Sequence, residues 1–393
     1  MKFNLPRNVM FILDRFNDAG YAAYVVGGPV RDLLRGVTPS DYDITTSASP
    51  SEIKALFSDI RTVDTGIKHG TVTLVIDSEP YEVTTYRIDG EYLDARHPSG
   101  VEFTDKLELD LLRRDFTMNA IAYNPGAGLV DTTGGIADIE AKIIRCVGEP
   151  SLRFSEDALR ILRALRFSAT LGFEIEERTA DAIFALKANL DFVSGERIYA
   201  EIKKMLSGEF LSSVISGFMP VLSFIIPEWE GIEDPESLKP SCDYLTNLIA
   251  LFAISGTDAD SFAERMRDLR ADGATVKAGV AVLSALGKYP LDKKEGLIDL
   301  CLDFGAEYAR LCINVATALS LVDSSTLCSF EEILKTTPLT LKELDISGND
   351  LSEAGLVGEE IGRTLARLLR SAALGEIQNT KDALLSVAKS AEK

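Results

Sequence analysis

Two pairs of residues near the N-terminus have the types and the spacing for phosphate chemistry. Gly27 and Gly28 follow an apolar run that ends at Val26 and is typical of a buried strand. Because glycine has no side chain, the backbone can turn sharply there and approach a phosphate group. Asp41 and Asp43 are two residues apart, so both carboxylates point the same way on an extended segment. Paired carboxylates favour a bound cation, and oxygen ligands alone favour Mg²⁺.

A phosphate-binding turn followed by metal-binding aspartates is what nucleotidyl transfer requires. One or two metal ions would activate a hydroxyl group and neutralise a leaving pyrophosphate. Each pattern alone has a simpler explanation, since a glycine pair is usually only a turn and paired aspartates usually lie in a solvated loop. Glu82, on a predicted strand over residues 81–87, is a candidate third catalytic carboxylate, although a strand glutamate is usually a surface residue.

Composition restricts the class of protein. The 393 residues are enough for more than one domain, and the net charge of −20 argues against a generally basic surface but leaves room for a local basic track. Five scattered cysteines without a CxxC pair are typical of a reduced, cytoplasmic protein with neither a disulfide framework nor a zinc site. The N-terminal segment does not resemble a signal peptide. Serines, Gly217 and Pro220 interrupt the apolar stretch 210–227, which favours short buried helices over a membrane span.

The hydrophobic periodicity changes along the chain. A helix over residues 8–17 leads into a strand at 24–26, and further strands are predicted at 70–76, 81–87 and 121–123, with a turn at 77–80. From Ser151 onward the pattern is helical and contains no convincing strand. The sequence therefore predicts an α+β fold with a sheet in the first part and helices in the remainder.

A second group of polar residues lies on a predicted helix. Asp157 begins it, and three arginines follow in steps of three: Arg160, Arg163 and Arg166. Asp157 and Arg160 would be neighbours on one helix face and could present an acceptor beside a donor. The simpler explanation is a salt bridge within the helix. In a straight helix Arg166 would point roughly opposite to Asp157.

Taken in order, five motifs resemble those of the class II tRNA nucleotidyltransferases, which are the CCA-adding enzymes and belong to one superfamily with bacterial poly(A) polymerases. The motifs are residues 27–32 (GGPVRD), 41–43 (DYD), 113–120 (RRDFTMNA), 131–138 (DTTGGIAD) and 156–160 (EDALR). Residues 196–201 (ERIYAE) and 346–351 (ISGNDL) are similar to later family motifs. The resemblance implies a nucleotidyltransferase-type mixed-sheet head at 1–147, followed by a helical neck at 148–210, a helical body at 211–290 and a helical, tRNA-binding tail at 291–393.

The resemblance also implies site residues. It assigns Asp41 and Asp43 to Mg²⁺. The positions that match nucleotide-binding residues of the family are Gly28, Arg31, Arg114, Asp115, Asn119, Asp157, Arg160, Arg163 and Arg166. The role of Asp157 and Arg160 follows from base chemistry as well, because cytosine and adenine each present an amine donor beside a ring-nitrogen acceptor, whereas uracil and guanine present the reverse. An aspartate with an arginine is complementary to the first pattern and would select CTP and ATP without a template.

The expected activity is addition of CCA to the 3′ end of tRNA, with tRNA, CTP and ATP as partners and no stable protein partner. Residues 86–98 resemble the flexible loop that CCA-adding enzymes need for the final A. A poly(A) polymerase and a partial CC- or A-adding enzyme are the alternatives, and a non-catalytic RNA-binding protein of the same fold is another. With only His69 and His97, the chain cannot contain a His-Asp phosphohydrolase domain. Arginines of the tail are expected to contact the tRNA backbone, or else to form an ordinary solvated helix face: Arg363, Arg367 and Arg370.

Overall fold

The computed structural model describes residues 2–64, 66–89, 101–232, 234 and 237–390. The chain forms two compact units, Met1–Phe210 and Leu211–Lys393. The finer division into head, neck, body and tail stays a prediction. The predicted loop at 86–98 lies outside the described residues from residue 90 onward; the strands that flank it, Arg87–Asp89 and Val101–Phe103, pair in antiparallel fashion.

The first unit begins with alternating strands and helices. Its strands are β1 (Ala23–Val26), β2 (Ile44–Thr46), β3 (Arg61–Val63), β4 (Thr71–Ile76), β5 (Glu79–Thr85), β6 (Arg87–Asp89), β7 (Val101–Phe103), β8 (Ile121–Asn124), β9 (Gly128–Asp131), β10 (Ile143–Ile144) and β11 (Glu174–Ile175). Its helices are α1 (Arg7–Asp18), α2 (Gly28–Leu34), α3 (Pro50–Leu56), α4 (Leu107–Leu112), α5 (Gly135–Ala141), α6 (Pro150–Glu156), α7 (Leu159–Leu171), α8 (Glu177–Leu186) and α9 (Gly195–Leu206). The predicted α+β fold is confirmed.

The sheet brings distant parts of the sequence to one edge. Within the described residues, seven strands form a mixed sheet in the order β3-β4-β5-β2-β1-β8-β9. β1 is antiparallel to both β2 and β8, so its end lies beside the start of each. β2 runs parallel to β5, with Ile44 opposite Val83. The turn after β1, the aspartates before β2, residue 82 on β5 and the segment before β8 therefore meet at the same edge.

Helix α4 packs against this sheet from one side. Leu107 and Leu111 are buried in a hydrophobic cluster with Val26, Ala122 and Tyr86. Since positions 107 and 111 are one turn apart, the helix is held by its apolar face. This packing fixes the position of the arginines that follow the helix.

Two local predictions were wrong. The turn at 77–80 is shorter than predicted: Asp77 and Ser78 alone form it, both with positive φ, and Glu79 already pairs with Ile76. Residues after Ser151 were expected to be entirely helical, yet β11 pairs in parallel with β10. A two-residue strand has no periodicity that a sequence pattern could reveal.

The second unit is helical in its described part. Its helices are α10 (Leu211–Ile225), α11 (Tyr244–Ile254), α12 (Ala259–Asp268), α13 (Gly273–Ala285), α14 (Lys294–Ala318), α15 (Ser324–Thr336), α16 (Gly348–Glu353), α17 (Glu359–Ala373) and α18 (Lys381–Ser390). The apolar stretch at 210–227 forms α10, which is interrupted at Phe218 and contains Pro220. Across the described residues, none of the helices has both the length and the apolar character that crossing a membrane requires.

Candidate active site

The turn after β1 has a backbone that only glycine adopts easily. Gly27 has φ of 79° and ψ of −129°, and its N–H donates to the carbonyl of Ile121 at the start of β8 (3.1 Å). A Cβ atom built on Gly27 would lie 3.2 Å from Nη1 of Arg114, whereas one built on Gly28 would lie 3.7 Å from Nη2 of Arg31, an ordinary contact. The strict requirement for glycine is therefore at Gly27. The predicted nucleotide contact of Gly28 stays a prediction.

The acidic residues meet because of strand register. The carbonyl of Asp43 accepts from the N–H of Val26 (3.0 Å), which ties the segment before β2 to the end of β1. One residue back along the parallel pair β2 and β5, Asp43 lies beside Glu82. Both side chains are exposed at this edge. The strand register thus places the carboxylates of Asp43 and Glu82 next to each other.

The charges of this edge interact strongly. The pKa of Asp43 is raised to about 6, mainly by desolvation and also by the negative charges of Glu82 and Asp41, while Arg114 opposes the change. Asp43 is therefore recessed among protein atoms while still open to solvent. The negative charges of Asp41, Asp43 and Glu82 therefore interact at a position of the sheet edge that is open to a ligand.

The donor set fits a divalent metal held jointly by protein and substrate. Among the residues that the structure describes, no three His, Cys, Asp or Glu side chains form a ready-made metal cage. Mg²⁺ is usually bound by one or two carboxylates together with water and substrate phosphates, so such a cage is not needed. Acceptor-only oxygens that repel each other, as Asp41, Asp43 and Glu82 do, suit this mode of binding.

A buried aspartate that the sequence analysis missed organises the arginines. The side chain of Asp110 is fully buried and accepts from Arg113 (Nε 3.0 Å, Nη2 2.7 Å) and from Nη2 of Arg114 (3.0 Å). Burial would raise the pKa of Asp110, but Arg114 and Arg113 outweigh it and the pKa is lowered. Nε of Arg114 is buried and has no hydrogen-bond partner in the described part of the chain. Arg114 is thus held next to Gly27 and within electrostatic reach of Asp43.

We expect Asp110→Asn to lower the free energy of unfolding by about 3 kcal/mol, because it removes the buried negative charge with which Arg113 and Arg114 both pair. Urea unfolding of the purified variant measures this change. Asp59→Asn is the matched control, since Asp59 pairs with Arg15 at the surface, where solvent screens the pair, and its loss should lower the free energy of unfolding much less. Equal losses in the two variants would show that Asp110 has no special structural role.

A chain of hydrogen bonds connects the turn to the arginine helix. Nη1 of Arg31 donates to Oδ1 of Asn119 (2.9 Å), and Nδ2 of Asn119 donates to Oδ1 of Asp115 (3.1 Å). Asp115 in turn accepts from Nε (2.8 Å) and Nη2 (2.5 Å) of Arg163. Burial would raise the pKa of Asp115, but Arg163, Asn119 and Arg160 outweigh it and lower the pKa to about 2. The structure therefore brings four of the predicted nucleotide-binding residues into one network.

The predicted pairing of Asp157 with Arg160 on one helix is wrong. Asp157 is in an extended conformation (φ −143°, ψ 102°) at the break between α6 and α7. Its carboxylate accepts from Arg197 (Nη2 2.9 Å, Nη1 3.3 Å) and from the N–H of Leu159 (3.1 Å). A helix break changes which side chains are neighbours, so the three-residue spacing did not predict the contact.

Arg160 is buried and pairs elsewhere. Nη1 donates to Glu156 (2.7 Å) and to the carbonyl of Arg153 (3.3 Å), and Nη2 donates to the carbonyl of Arg113 (3.1 Å). The carbonyl of Arg113 belongs to the segment that carries Arg114, so Arg160 reaches the edge of the sheet. Of the five N–H donors of a guanidinium, these contacts use three.

Arg166 has a partner that the sequence analysis did not identify. Nε of Arg166 lies 2.8 Å from Oε2 of Glu201, a buried residue on α9, and Nη1 of Arg163 lies 4.0 Å from Oε1 of the same residue. The pKa of Arg166 is lowered to about 10, mainly by burial and also by the positive charge of Arg163, while Glu201 opposes the change. Arg197 and Glu201 both belong to the motif at 196–201, which was a signal for these partners.

The basic residues of the tail lie on helix α17 of the second unit. Leu368 and Leu369 are buried in a hydrophobic cluster against which Leu365 packs, while Arg363 and Arg367 are exposed. Arg370 pairs with Asp299 (2.7 and 2.8 Å). The helix is therefore amphipathic. This agrees with both interpretations of its arginines, as contacts to the tRNA backbone or as an ordinary solvated helix face.

Comparisons with known proteins point in one direction. Residues 23–145 match the family described as Poly A polymerase head domain, and residues 172–216 match the family described as probable RNA and SrmB-binding site of polymerase A. The CCA-adding enzyme of Leuconostoc mesenteroides is 36% identical, covering 96% of this chain and 94% of its own. That of Latilactobacillus sakei is also 36% identical and covers 96% of each. The crystal structure of the Bacillus stearothermophilus CCA-adding enzyme in complex with CTP is 30% identical, with a TM-score of 0.85, covering 98% of this chain and 96% of that one.

Proposed function

Because this chain belongs to the family of CCA-adding enzymes, which are nucleotidyltransferases, we propose that it adds CCA to the 3′ end of tRNA from CTP and ATP without a nucleic-acid template. The observation that carries the proposal is the sheet edge itself. There the Gly27 turn, Arg114 and the exposed carboxylates of Asp43 and Glu82 lie together. Phosphate-facing donors beside metal-binding acceptors are the requirements of nucleotidyl transfer.

The reaction is an in-line displacement at the α-phosphate. The 3′ oxygen of the tRNA forms a bond to phosphorus as the bond to the pyrophosphate oxygen breaks, and the hydroxyl proton leaves to solvent. Asp41, Asp43 and Glu82 would hold a divalent metal, which we propose to be Mg²⁺. When bound, this ion supplies positive charge to the attacking oxygen and to the leaving pyrophosphate.

Arginines bind and orient the nucleotide. Arg114 contributes the buried Nε that has no hydrogen-bond partner among the described residues, and Asp110 keeps its guanidinium next to Gly27. Arg31 and Arg163 are connected through Asn119 and Asp115, so their positions are correlated. Preorganised donors of this kind stabilise negative charge without reorganising during the reaction.

Asp157 and Arg160 are proposed to select the base from the two sides of a helix break. Asp157 is held by Arg197 and still has acceptor capacity, because a carboxylate offers about four acceptor positions. Arg160 has two N–H donors beyond those used by Glu156 and by the carbonyls of Arg153 and Arg113. Together they can accept from an exocyclic amine and donate to a ring nitrogen, which is the pattern of cytosine and adenine.

The remaining proposals concern tRNA and the cellular compartment. Exposed Arg363 and Arg367 are suited to phosphate contacts, which would make tRNA binding weaken as the salt concentration rises.

All five cysteines are free thiols, and burial raises the pKa of Cys146 and Cys312 to about 12. Unpaired thiols suit a reducing compartment, and we propose a cytoplasmic location.

A product assay tests the function. Purified protein is incubated with tRNA that ends at the discriminator base, and with CTP and ATP separately and together. Addition of two C residues with CTP alone and of one further A with both nucleotides supports the proposal. Long A tails made without CTP would establish a poly(A) polymerase, an alternative that the match of residues 23–145 to a Poly A polymerase head domain keeps open. Products that stop at CC would establish a partial, CC-adding enzyme. Absence of addition with retained tRNA binding would establish a non-catalytic RNA-binding protein of the same fold.

A further inference from the structure

The ring of Phe167 lies among guanidinium groups from two separate parts of the chain. Cζ of Arg166 is 3.9 Å from the ring centroid, that of Arg31 is 5.2 Å away and that of Arg163 is 5.5 Å away. All three distances are within the range of a cation–π interaction. Phe167 is nearly buried, with 6% of its surface exposed, so water screens these contacts little.

The ring itself is held in place by the segment that carries Asp115. Phe116, which is fully buried, meets Phe167 edge to face, with centroids 5.8 Å apart and an interplanar angle of 88°. Asp115, the preceding residue, binds Arg163. Phe167 and Asp115 therefore connect helix α7 to helix α2, which carries Arg31, by two independent routes, one aromatic and one polar.

Three cations this close together repel one another, so something must hold them. Each has a carboxylate partner within the described residues: Arg31 has Asp32, Arg163 has Asp115, and Arg166 has Glu201, which also lies 4.0 Å from Arg163. These partners leave donors available, since Arg31 uses three of its five N–H groups and Arg163 uses two on Asp115. The shared ring adds attraction for each cation without using any donor.

We propose that Phe167 is a positioning residue that gathers Arg31, Arg163 and Arg166 into a preformed binding site for the triphosphate of the incoming nucleotide. This inference rests on the proposed function. Because the nearly buried ring acts through the arginines, we expect its contribution to be the same for CTP and ATP. A ring face is needed, because an aliphatic side chain of similar bulk lacks the quadrupole that attracts cations.

Phe167→Leu tests the proposal. We expect the dissociation constants of CTP and ATP, measured by calorimetry without tRNA, each to rise by about tenfold, which is the range of a desolvated cation–π contact. KM for both nucleotides should rise by the same factor and kcat should fall by a smaller factor, equal for CTP and ATP, because Phe167 acts only through the arginines. The inhibition constant of pyrophosphate, which has no base, should rise in parallel. Phe167→Tyr keeps the ring face and should restore binding to within about threefold of the parent protein.

Phe16→Leu is the matched control, because Phe16 is a fully buried phenylalanine of the same unit that packs on Phe57. It should lose similar stability but bind CTP as the parent does. Unchanged nucleotide binding in a folded Phe167→Leu variant would overturn the proposal, as would a change in the ratio of CTP to ATP affinity. If Phe167→Leu does not fold, the proposal is tested with Phe167→Tyr. A tenfold loss of nucleotide affinity in that variant would contradict a role for the ring face. Failure of the parent and of Phe16→Leu to bind CTP would instead refute the proposed function.

Discussion

Replacing Asp43 with asparagine is expected to reduce kcat for nucleotide addition by at least about 1,000-fold while tRNA affinity stays within about twofold. The substitution keeps the shape of the side chain and removes one of the carboxylates that face each other at the sheet edge. Asparagine is a neutral and weaker metal ligand, so the charge that stabilises the leaving pyrophosphate would be lost. Single-turnover addition of C to tRNA and a filter-binding titration measure the two quantities.

A structural explanation of this loss can be separated from the chemical one. Ionised Asp43 is repelled by Glu82 and Asp41, so removing its charge should leave the unfolding temperature of the metal-free protein unchanged or higher. Glu79→Gln is the control, because Glu79 is an exposed acidic residue of β5, the strand that carries Glu82, and accepts a hydrogen bond from Tyr81. Wild-type turnover by Asp43→Asn would refute the metal assignment. A lowered unfolding temperature would mean that the variant lost activity by losing structure.

The family and the head sheet were predictable because their signals are local. The turn at Gly27, the pair Asp41 and Asp43, and the strand that carries Glu82 are each encoded within a few residues of sequence. Their meeting at one edge requires only that β1 is antiparallel to β2 and that β2 is parallel to β5. The five ordered motifs therefore led to the correct family.

What could not be predicted depends on tertiary partners. Asp110 looks like any acidic residue of a short helix until the structure buries it beneath two arginines. Asp157 and Arg160 have a helical spacing, yet Asp157 lies at a break between α6 and α7, and the two side chains have different partners. Local spacing predicts neighbours only where the helix is continuous.

Asp157→Asn is expected to lower kcat/KM for CTP by about 100-fold and to narrow the preference for CTP over UTP by a similar factor. The carboxylate of Asp157 is an acceptor on all sides, whereas an amide has one acceptor oxygen and two donor hydrogens. The N–H of Leu159 and Nη1 of Arg197 would retain the amide oxygen at the position of Oδ1, while the NH₂ group would replace Oδ2 and lose the hydrogen bond from Nη2 of Arg197. The NH₂ group would then face the base, repelling the amine of cytosine and accommodating the carbonyl of uracil. Competition between CTP and UTP for addition to one tRNA measures the change.

The direction of this effect distinguishes base selection from a structural salt bridge. If Asp157 only anchors Arg197, its replacement should lower the unfolding temperature and reduce addition of C and A by one common factor, with the rejection of UTP intact. Glu149→Gln is the matched control, since Glu149 pairs with Arg178 on the surface of the same unit and should alter neither quantity. Replacing an acceptor by a donor at one position can change which pyrimidine is preferred. A loss of packing cannot do so, because packing does not depend on which atom of the base edge is a hydrogen-bond donor. Retention of the full CTP preference in Asp157→Asn would therefore place the selection of the base on other residues.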